Sequence, residues 1–212
     1  MTAQKEEQFF KKEKGCLIVI SGPSCAGKGT VTEIVHQHCP DIKFSVSETT
    51  RKPRPMEKEG VDYFYQSVEN FEKRIEENMY LEYAKVHGNY YGTPRDYVEK
   101  MIDGGYDVIL EIDIQGAAQI RKTFKKAVYI FIAPPSMEEL RRRIHSRGTE
   151  TKEEMERRLS CAYEEMTNAD DYSYIVINEN KETAARQVRA IITAEKCRTE
   201  RLINHVLEIL KR

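Results

Sequence analysis

Short, almost unbroken apolar runs alternate along this chain with stretches whose apolar residues recur every three or four positions. Five such runs stand out: Cys16–Ile20, Ile42–Val46, Val108–Ile112, Val128–Ile132 and Tyr174–Ile177. Apolar runs of this length, without polar alternation, suit strands covered on both faces. Helical patterns separate most of them, which predicts right-handed crossovers and a parallel sheet flanked by helices, an α/β fold. Helix starts are marked by Thr93-Pro94, an N-cap followed by proline. Ser136-Met137-Glu138-Glu139 and Thr151-Lys152-Glu153-Glu154 mark two more, each read as a capping box. Gly104-Gly105 ends the helix that follows Pro94. The segment 181–212 reads as a long amphipathic helix with a break, its face formed by Ala184, Val188, Ile191, Ile192, Leu202, Val206 and Leu210.

Residues 47–97 interrupt this alternation. They are too long for a simple connection, and they hold seven tyrosines, a helix over about 68–78 and a hairpin signal at Gly88-Asn89. We read them as an inserted subdomain of short strands, where tyrosine suits a half-buried surface and its hydroxyl also suits a phosphate ligand. A second insertion, about 147–158, lies where a lid would. The core domain is then 15–46 with 98–212, and 1–14 is a charged, flexible leader with no apolar targeting core.

A chain of 212 residues with 40% hydrophobic and 33% charged residues has enough apolar material for a sizeable core, which argues against disorder. Its net charge of −1 supplies no global field toward nucleic acid, so any anion site has to be built locally. The apolar runs are too short to cross a bilayer. Cys16, Cys25, Cys39, Cys161 and Cys197 form no C-x-x-C pair, a pattern that points to reduced thiols and a cytoplasmic setting.

The chemistry begins at Gly22-Pro23-Ser24-Cys25-Ala26-Gly27-Lys28-Gly29-Thr30. Strand, glycine-bounded loop, lysine and helix, in that order, form a phosphate-binding P-loop. Backbone N–H groups and the helix N-terminus face a polyphosphate, and Lys28 supplies a mobile charge to its outer phosphates. The strict pattern places Ser or Thr directly after the lysine. Here Gly29 stands there, so Thr30 is the hydroxyl left to approach Mg²⁺. A second signal is Ser47-Glu48-Thr49-Thr50-Arg51-Lys52-Pro53-Arg54. Arg51 and Arg54 flank a stiffening proline and can clamp one phosphate dianion with forked guanidiniums, while Ser47 and Tyr63 add neutral donors. Taken alone, Glu82 is an ordinary strand-end carboxylate, Asp113 a strand-end cap, Cys25 a small loop residue and Arg141-Arg142-Arg143 a solvated helix face. His36 and His38 are spaced i, i+2 and cannot share a helix face for a metal.

The order of motifs resembles the guanylate kinase family: the P-loop, then Ser47 to Arg54, Gly60 to Tyr63, Glu82 to Ala84 and Gly88 to Thr93. It continues through Ile112 to Gly116, Ile132 to Ser136, Arg147 to Thr151 and Val176 to Asn178. The resemblance spans roughly residues 15–200. It implies a P-loop NTPase-type, five-stranded parallel sheet with a GMP-binding insertion and a lid, and transfer of the γ-phosphoryl of ATP to GMP. On these positions Arg51, Arg54, Tyr63 and Tyr91 match the family's GMP-phosphate ligands, and Ser47, Glu82 and Thr93 its guanine readers. Arg147 and Arg158 match its lid arginines, catalytic together with Lys28 and Arg54. Asp113 matches an acidic residue near the GMP and cation region, and Asn178 a neighbour of the adenine pocket. Mg²⁺ would ride mainly on nucleotide phosphates, with Thr30 or Asp113 as a protein-side ligand. Three other readings stay open at this stage: a non-catalytic binding module of the same fold, a GTP-hydrolysing switch, and a kinase for another nucleoside monophosphate. The switch is disfavoured because no N-K-x-D guanine motif is present.

Overall fold

The computed structural model describes residues 14–86, 88–146 and 152–211. Of the expected leader it describes only Lys14, which pairs with Asp103 at 2.7 Å. His87, and residues 147–151 with the lid residue Arg147 and the expected cap Thr151, lie outside the described residues.

Nine strands and eight α-helices are described. In chain order they are β1 (Leu17–Ser21), α1 (Lys28–His38), β2 (Lys43–Phe44), β3 (Glu48–Thr49), β4 (Phe64–Tyr65), α2 (Val68–Glu76), β5 (Tyr80–Val86), β6 (Asn89–Pro94) and α3 (Arg95–Asp103). There follow β7 (Val108–Glu111), α4 (Ile114–Thr123), β8 (Val128–Ala133), α5 (Met137–Ser146), α6 (Lys152–Met166), β9 (Tyr174–Ile177), α7 (Lys181–Lys196) and α8 (Thr199–Ile209). The five apolar runs of the sequence become the five-stranded parallel sheet β2-β7-β1-β8-β9. Every residue of β1 and β8 is buried, which explains why neither run alternates. Each fully buried Ile or Phe of such strands contributes about 1.5–3 kcal/mol by leaving water. No helix among the described residues is long and apolar enough to cross a membrane.

The described chain divides into two compact units: the part up to Val19 with Pro40–Ala127, and Ile20–Cys39 with the part from Val128 on. In the first unit β2 and β7 pair in parallel, Lys43 opposite Val108. A second sheet has the order β4-β3-β6-β5, with β5 and β6 joined as an antiparallel hairpin. Phe71 of α2 is fully buried and stacks on Tyr80 and Tyr90 with centroids 4.3 and 5.2 Å away. These two tyrosines therefore serve packing. Tyr80 also donates its hydroxyl to buried Glu48, which pairs with Arg74 at 3.2 Å. The N-terminus of α3 corrects the sequence reading: the N-cap is Pro94 and no side chain caps the helix. The Thr93 hydroxyl is instead donated to Glu82, 2.6 Å away, a stronger charge-assisted bond than a cap would make.

In the second unit β8 and β9 are parallel and α1 packs against α7, burying Val31, Ile34 and Val35 on one helix and Ala184, Val188 and Ile192 on the other. Leu140 and Ile144 of α5 meet Leu159 and Ala162 of α6. The Ser136 hydroxyl accepts the Glu139 N–H at 3.0 Å, but the Glu139 carboxylate binds Arg142 and Arg143, so the capping box is half-formed. Residues 152–158 of the expected lid belong to the first turns of α6. The C-terminal helical pattern breaks at Cys197–Arg198, and the two pieces differ. Ala184, Val188 and Ile192 of the α7 stripe are buried and Ile191 is half-buried, whereas Val206 and Leu210 of α8 are exposed.

Candidate functional site

The P-loop lies in the second unit. Gly27 is the N-cap of α1 in a left-handed conformation, φ 92°, and no side chain caps this helix. Its N-terminal N–H groups therefore remain available to an anion. A Cβ on Gly27 would stand 2.4 Å from the amide nitrogen of Asn178, and one on Gly22 2.1 Å from the Ile132 carbonyl oxygen. Both glycines are thus set by close approach of the loop to its supports, beyond their positive φ. The Lys28 ammonium is folded back onto the loop, 2.6 Å from the Gly22 carbonyl and 3.1 Å from that of Pro23. The Ser24 N–H is donated to the Glu165 carboxylate at 3.3 Å, so an anionic group already stands at the loop's donors. Cys25 takes φ 64° and packs against the cluster of Leu140, Ile144, Leu159 and Ala162. Gly29 and Thr30 are exposed on the first helical turn. Thr32, the next hydroxyl along, bonds back to the carbonyls of Lys28 and Gly29.

Two side chains brace this loop from beneath. Asn178, buried at the end of β9, donates its amide to the Ala26 carbonyl at 2.8 Å. Arg143 donates to the same carbonyl at 3.1 Å, to the Asn178 carbonyl at 2.8 Å and to Glu139 at 2.8 Å. The run 141–143 therefore divides. Arg141 and Arg142 are exposed and pair with Glu156 and Glu139, while Arg143 turns inward, contrary to the sequence reading. Glu139 and Arg143, four apart on α5, were the available signal, since that spacing places both on one helix face. Arg158 is half-buried on α6.

The basic motif lies in the first unit. Arg51 forms a two-point pair with Glu57 at 2.7 and 3.0 Å and lies over the Tyr63 ring, 5.4 Å from its centroid. Tyr63 meets Tyr91 edge-on at 6.0 Å. The predicted phosphate ligands Arg51, Tyr63 and Tyr91 thus share one cluster, while Arg54 is exposed beside it. Glu57, which the sequence did not single out, is the hub. It also accepts the Arg54 N–H at 2.8 Å and the Tyr65 hydroxyl at 2.9 Å. Arg51 holds the Glu57 carboxyl down at about 2. Burial, then its hydrogen bond to Glu57, pushes the Tyr65 phenol up to about 12.

Glu82 stands on β5, opposite Thr93 on β6. Burial pushes its carboxyl up to about 6, the nearby Asp113 charge adds to this, and the Thr93 hydroxyl opposes it. Asp113 is the N-cap of α4, accepting the Gly116 N–H at 2.7 Å. Ser47 lies directly before β3, where its carbonyl accepts the Phe64 N–H at 2.9 Å. A half-buried carboxylate with unused lone pairs is a receptor for a ligand edge that presents two N–H donors.

A glycine-bounded loop running from the middle strand of a parallel sheet into an uncapped helix, with lysine at the first helical position, is the signature of the P-loop kinases. The comparisons narrow this. The protein-family model for guanylate kinase matches residues 14–195. Guanylate kinase of Caldanaerobacter subterraneus subsp. tengcongensis is 52% identical over 190 residues, 90% of this chain and 92% of the relative. That of Clostridium tetani is 52% identical over 196 residues, 92% of this chain and 93% of the relative. The crystal structure of guanylate kinase from Anaplasma phagocytophilum superposes with a TM-score of 0.69 at 36% identity, covering 90% of each chain. The chain belongs to the guanylate kinase family, whose members are nucleoside monophosphate kinases.

Proposed function

We propose that this chain transfers the γ-phosphoryl group of ATP to GMP, giving ADP and GDP. The observation that carries the reading is Glu82, a carboxylate held by Thr93 and raised by burial in the unit that also carries the Arg51 cluster. The Watson–Crick edge of guanine offers N1–H and an exocyclic amine, two donors side by side, and one carboxylate accepts both. Adenine brings an acceptor at N1 and would leave lone pair facing lone pair, a mismatch that buried polar sites reject by about 10⁴–10⁵-fold in the best cases. Ser47 and Thr93 complete the base-reading set in this proposal, and Asp113 borders it. Arg51, Arg54, Tyr63 and Tyr91 hold the GMP phosphate. The insertion 47–97 is then the GMP-binding part of the chain, 15–46 and 98–212 are the core, and about 147–158 is the lid.

ATP is assigned to the loop Gly22–Thr30, with Asn178 behind it and Arg147 and Arg158 from the lid. Lys28 leaves the loop carbonyls it now binds and turns to the β- and γ-phosphates. Phosphoryl transfer needs no covalent enzyme intermediate; it needs the two phosphates in line and cations around the developing charge. Lys28, Arg54, Arg147 and Arg158 are the protein's cations for this. Among the described residues no group of three or more His, Cys, Asp or Glu can hold a metal ion. In this proposal the ion is carried mainly by the nucleotide phosphates, with Thr30, exposed on the first turn of α1, as its protein ligand in preference to Asp113, which caps α4. Bound Mg²⁺ supplies charge neutralisation at the phosphates.

The test is ADP formation from Mg·ATP with GMP, dGMP, AMP, CMP and UMP. Strong preference for GMP is expected. Preference for AMP would overturn the base-reading role of Glu82, and no transfer to any monophosphate, in folded protein that binds GMP, would favour a non-catalytic binding module.

A further inference from the structure

In the order β4-β3-β6-β5, β5 is an outer strand. Among the described residues the outward N–H and C=O of its peptides have no strand partner, and at one residue a side chain meets both groups. The Tyr83 N–H is donated to Gln119 Oε1 at 3.1 Å, and Gln119 Nε2 donates to the Tyr83 carbonyl at 3.1 Å. A primary amide presents one acceptor and one donor side by side, as a peptide does, so Gln119 takes the place of a missing strand at this point. The two bonds also settle the orientation of the amide, because a backbone N–H needs an acceptor and a carbonyl needs a donor.

Tyr83 is the residue next to Glu82, and its anchored N–H belongs to the peptide that joins them. Gln119 lies on α4, three residues after Gly116 and six after Asp113, and this spacing puts all three on one helix face. A Cβ on Gly116 would stand 3.1 Å from the Glu82 carboxylate. One face of α4 therefore leaves room for the carboxylate at Gly116, sets a second charge beside it at Asp113 and grips the adjoining backbone at Gln119.

From this juxtaposition we propose that Gln119 is a positioning residue for guanine selection: it ties β5 to α4, so that the Glu82 carboxylate meets the base at one fixed distance and angle. The inference rests on the reading of Glu82 as the base reader. A two-point acceptor tolerates little displacement, because a shift of half an ångström lengthens both bonds at once and narrows the margin over bases that offer one donor.

The test uses the full chain with Gln119→Leu, which keeps the volume and removes both bonds, and Gln119→Glu, which can accept from Tyr83 but cannot donate. For Gln119→Leu we expect the KM for GMP to rise about five- to tenfold, the scale of one or two net hydrogen bonds. The kcat and the KM for ATP should stay within twofold, the preference for GMP over IMP should narrow, and amide exchange at Tyr83 should quicken. Gln119→Glu should reproduce the change in KM in part. A folded Gln119→Leu protein with unchanged KM for GMP and unchanged GMP-to-IMP ratio overturns the proposal, as does parallel loss toward ATP and GMP, which would mark a merely structural role. Lack of GMP turnover in the unaltered chain would overturn the base-reading assignment and this inference together.

Discussion

Replacing Glu82 by glutamine separates two consequences of one enclosed carboxylate. Burial moves this carboxyl from an ordinary 4.5 to about 6. The folded chain therefore holds the Glu82 proton more tightly than the unfolded chain does. The favourable contribution of this site is complete below pH 4.5 and is lost as pH rises through about 6. At 1.36 kcal/mol per pKa unit, the ionised carboxylate at pH 8 costs the fold about 2 kcal/mol. Glutamine keeps an oxygen for the Thr93 hydroxyl and presents a donor where the Asp113 charge opposes Glu82. The Glu82→Gln protein should thus be more stable than its parent by about 2 kcal/mol at pH 8 and about equal to it at pH 4.5. With a urea slope of about 2–3 kcal/mol/M, the unfolding midpoint at pH 8 moves up by about 0.7–1 M. Function should move the other way, because the new amide turns a donor toward the donors of guanine. Guanosine binding, followed by calorimetry, should weaken about 100-fold, in the range of charged hydrogen bonds lost and a donor left unpaired. Guanosine is the better probe than GMP, whose phosphate titrates near pH 6 itself. In the parent, guanosine affinity should fall as pH drops below about 6, and in Glu82→Gln it should not. A midpoint difference that is the same at pH 4.5 and pH 8 would refute the burial argument. An unchanged affinity for guanosine would remove Glu82 from the base site.

Two further outcomes test the supports of the site. Arg143→Ala removes donors to the carbonyls of Ala26 and Asn178 beneath the P-loop; the KM for ATP should rise about tenfold by steady-state kinetics with guanosine affinity unchanged, and an unaltered KM for ATP would show that the loop keeps its shape unaided. Glu57→Gln exchanges the ionised hub of the Arg51 cluster for a neutral one; the KM for GMP should rise several-fold while guanosine binding stays the same, and equal weakening of both ligands would mean that Glu57 supports the local fold around it and not the phosphate clamp.

Much of the fold was legible because its signals are local. A strand buried on both faces must be apolar throughout, so β1 and β8, buried at every residue, are visible as runs; β2, β7 and β9 are visible as apolar runs too, although β2 is only half-buried and Ile175 and Ile177 of β9 are exposed. The P-loop is legible for the same reason: glycine, lysine and the strand-helix switch lie within nine residues, and their spacing carries the geometry. Side-chain partnership across the chain is a different matter. Nothing near Thr93 says that its hydroxyl serves Glu82 eleven residues away in place of the helix it precedes. Arg143 differs from Arg141 and Arg142 in sequence only in standing four residues after Glu139, and its role is set by the carbonyls of Ala26 and Asn178. Gln119 is an unremarked polar residue on a helix until β5 runs past it with an unpaired peptide edge. The reason is physical. Local periodicity reports which face of an element leaves water, because burial acts on each residue separately. A hydrogen bond between residues far apart in the chain depends on positions to a few tenths of an ångström, and those positions exist only after the strands and helices have packed.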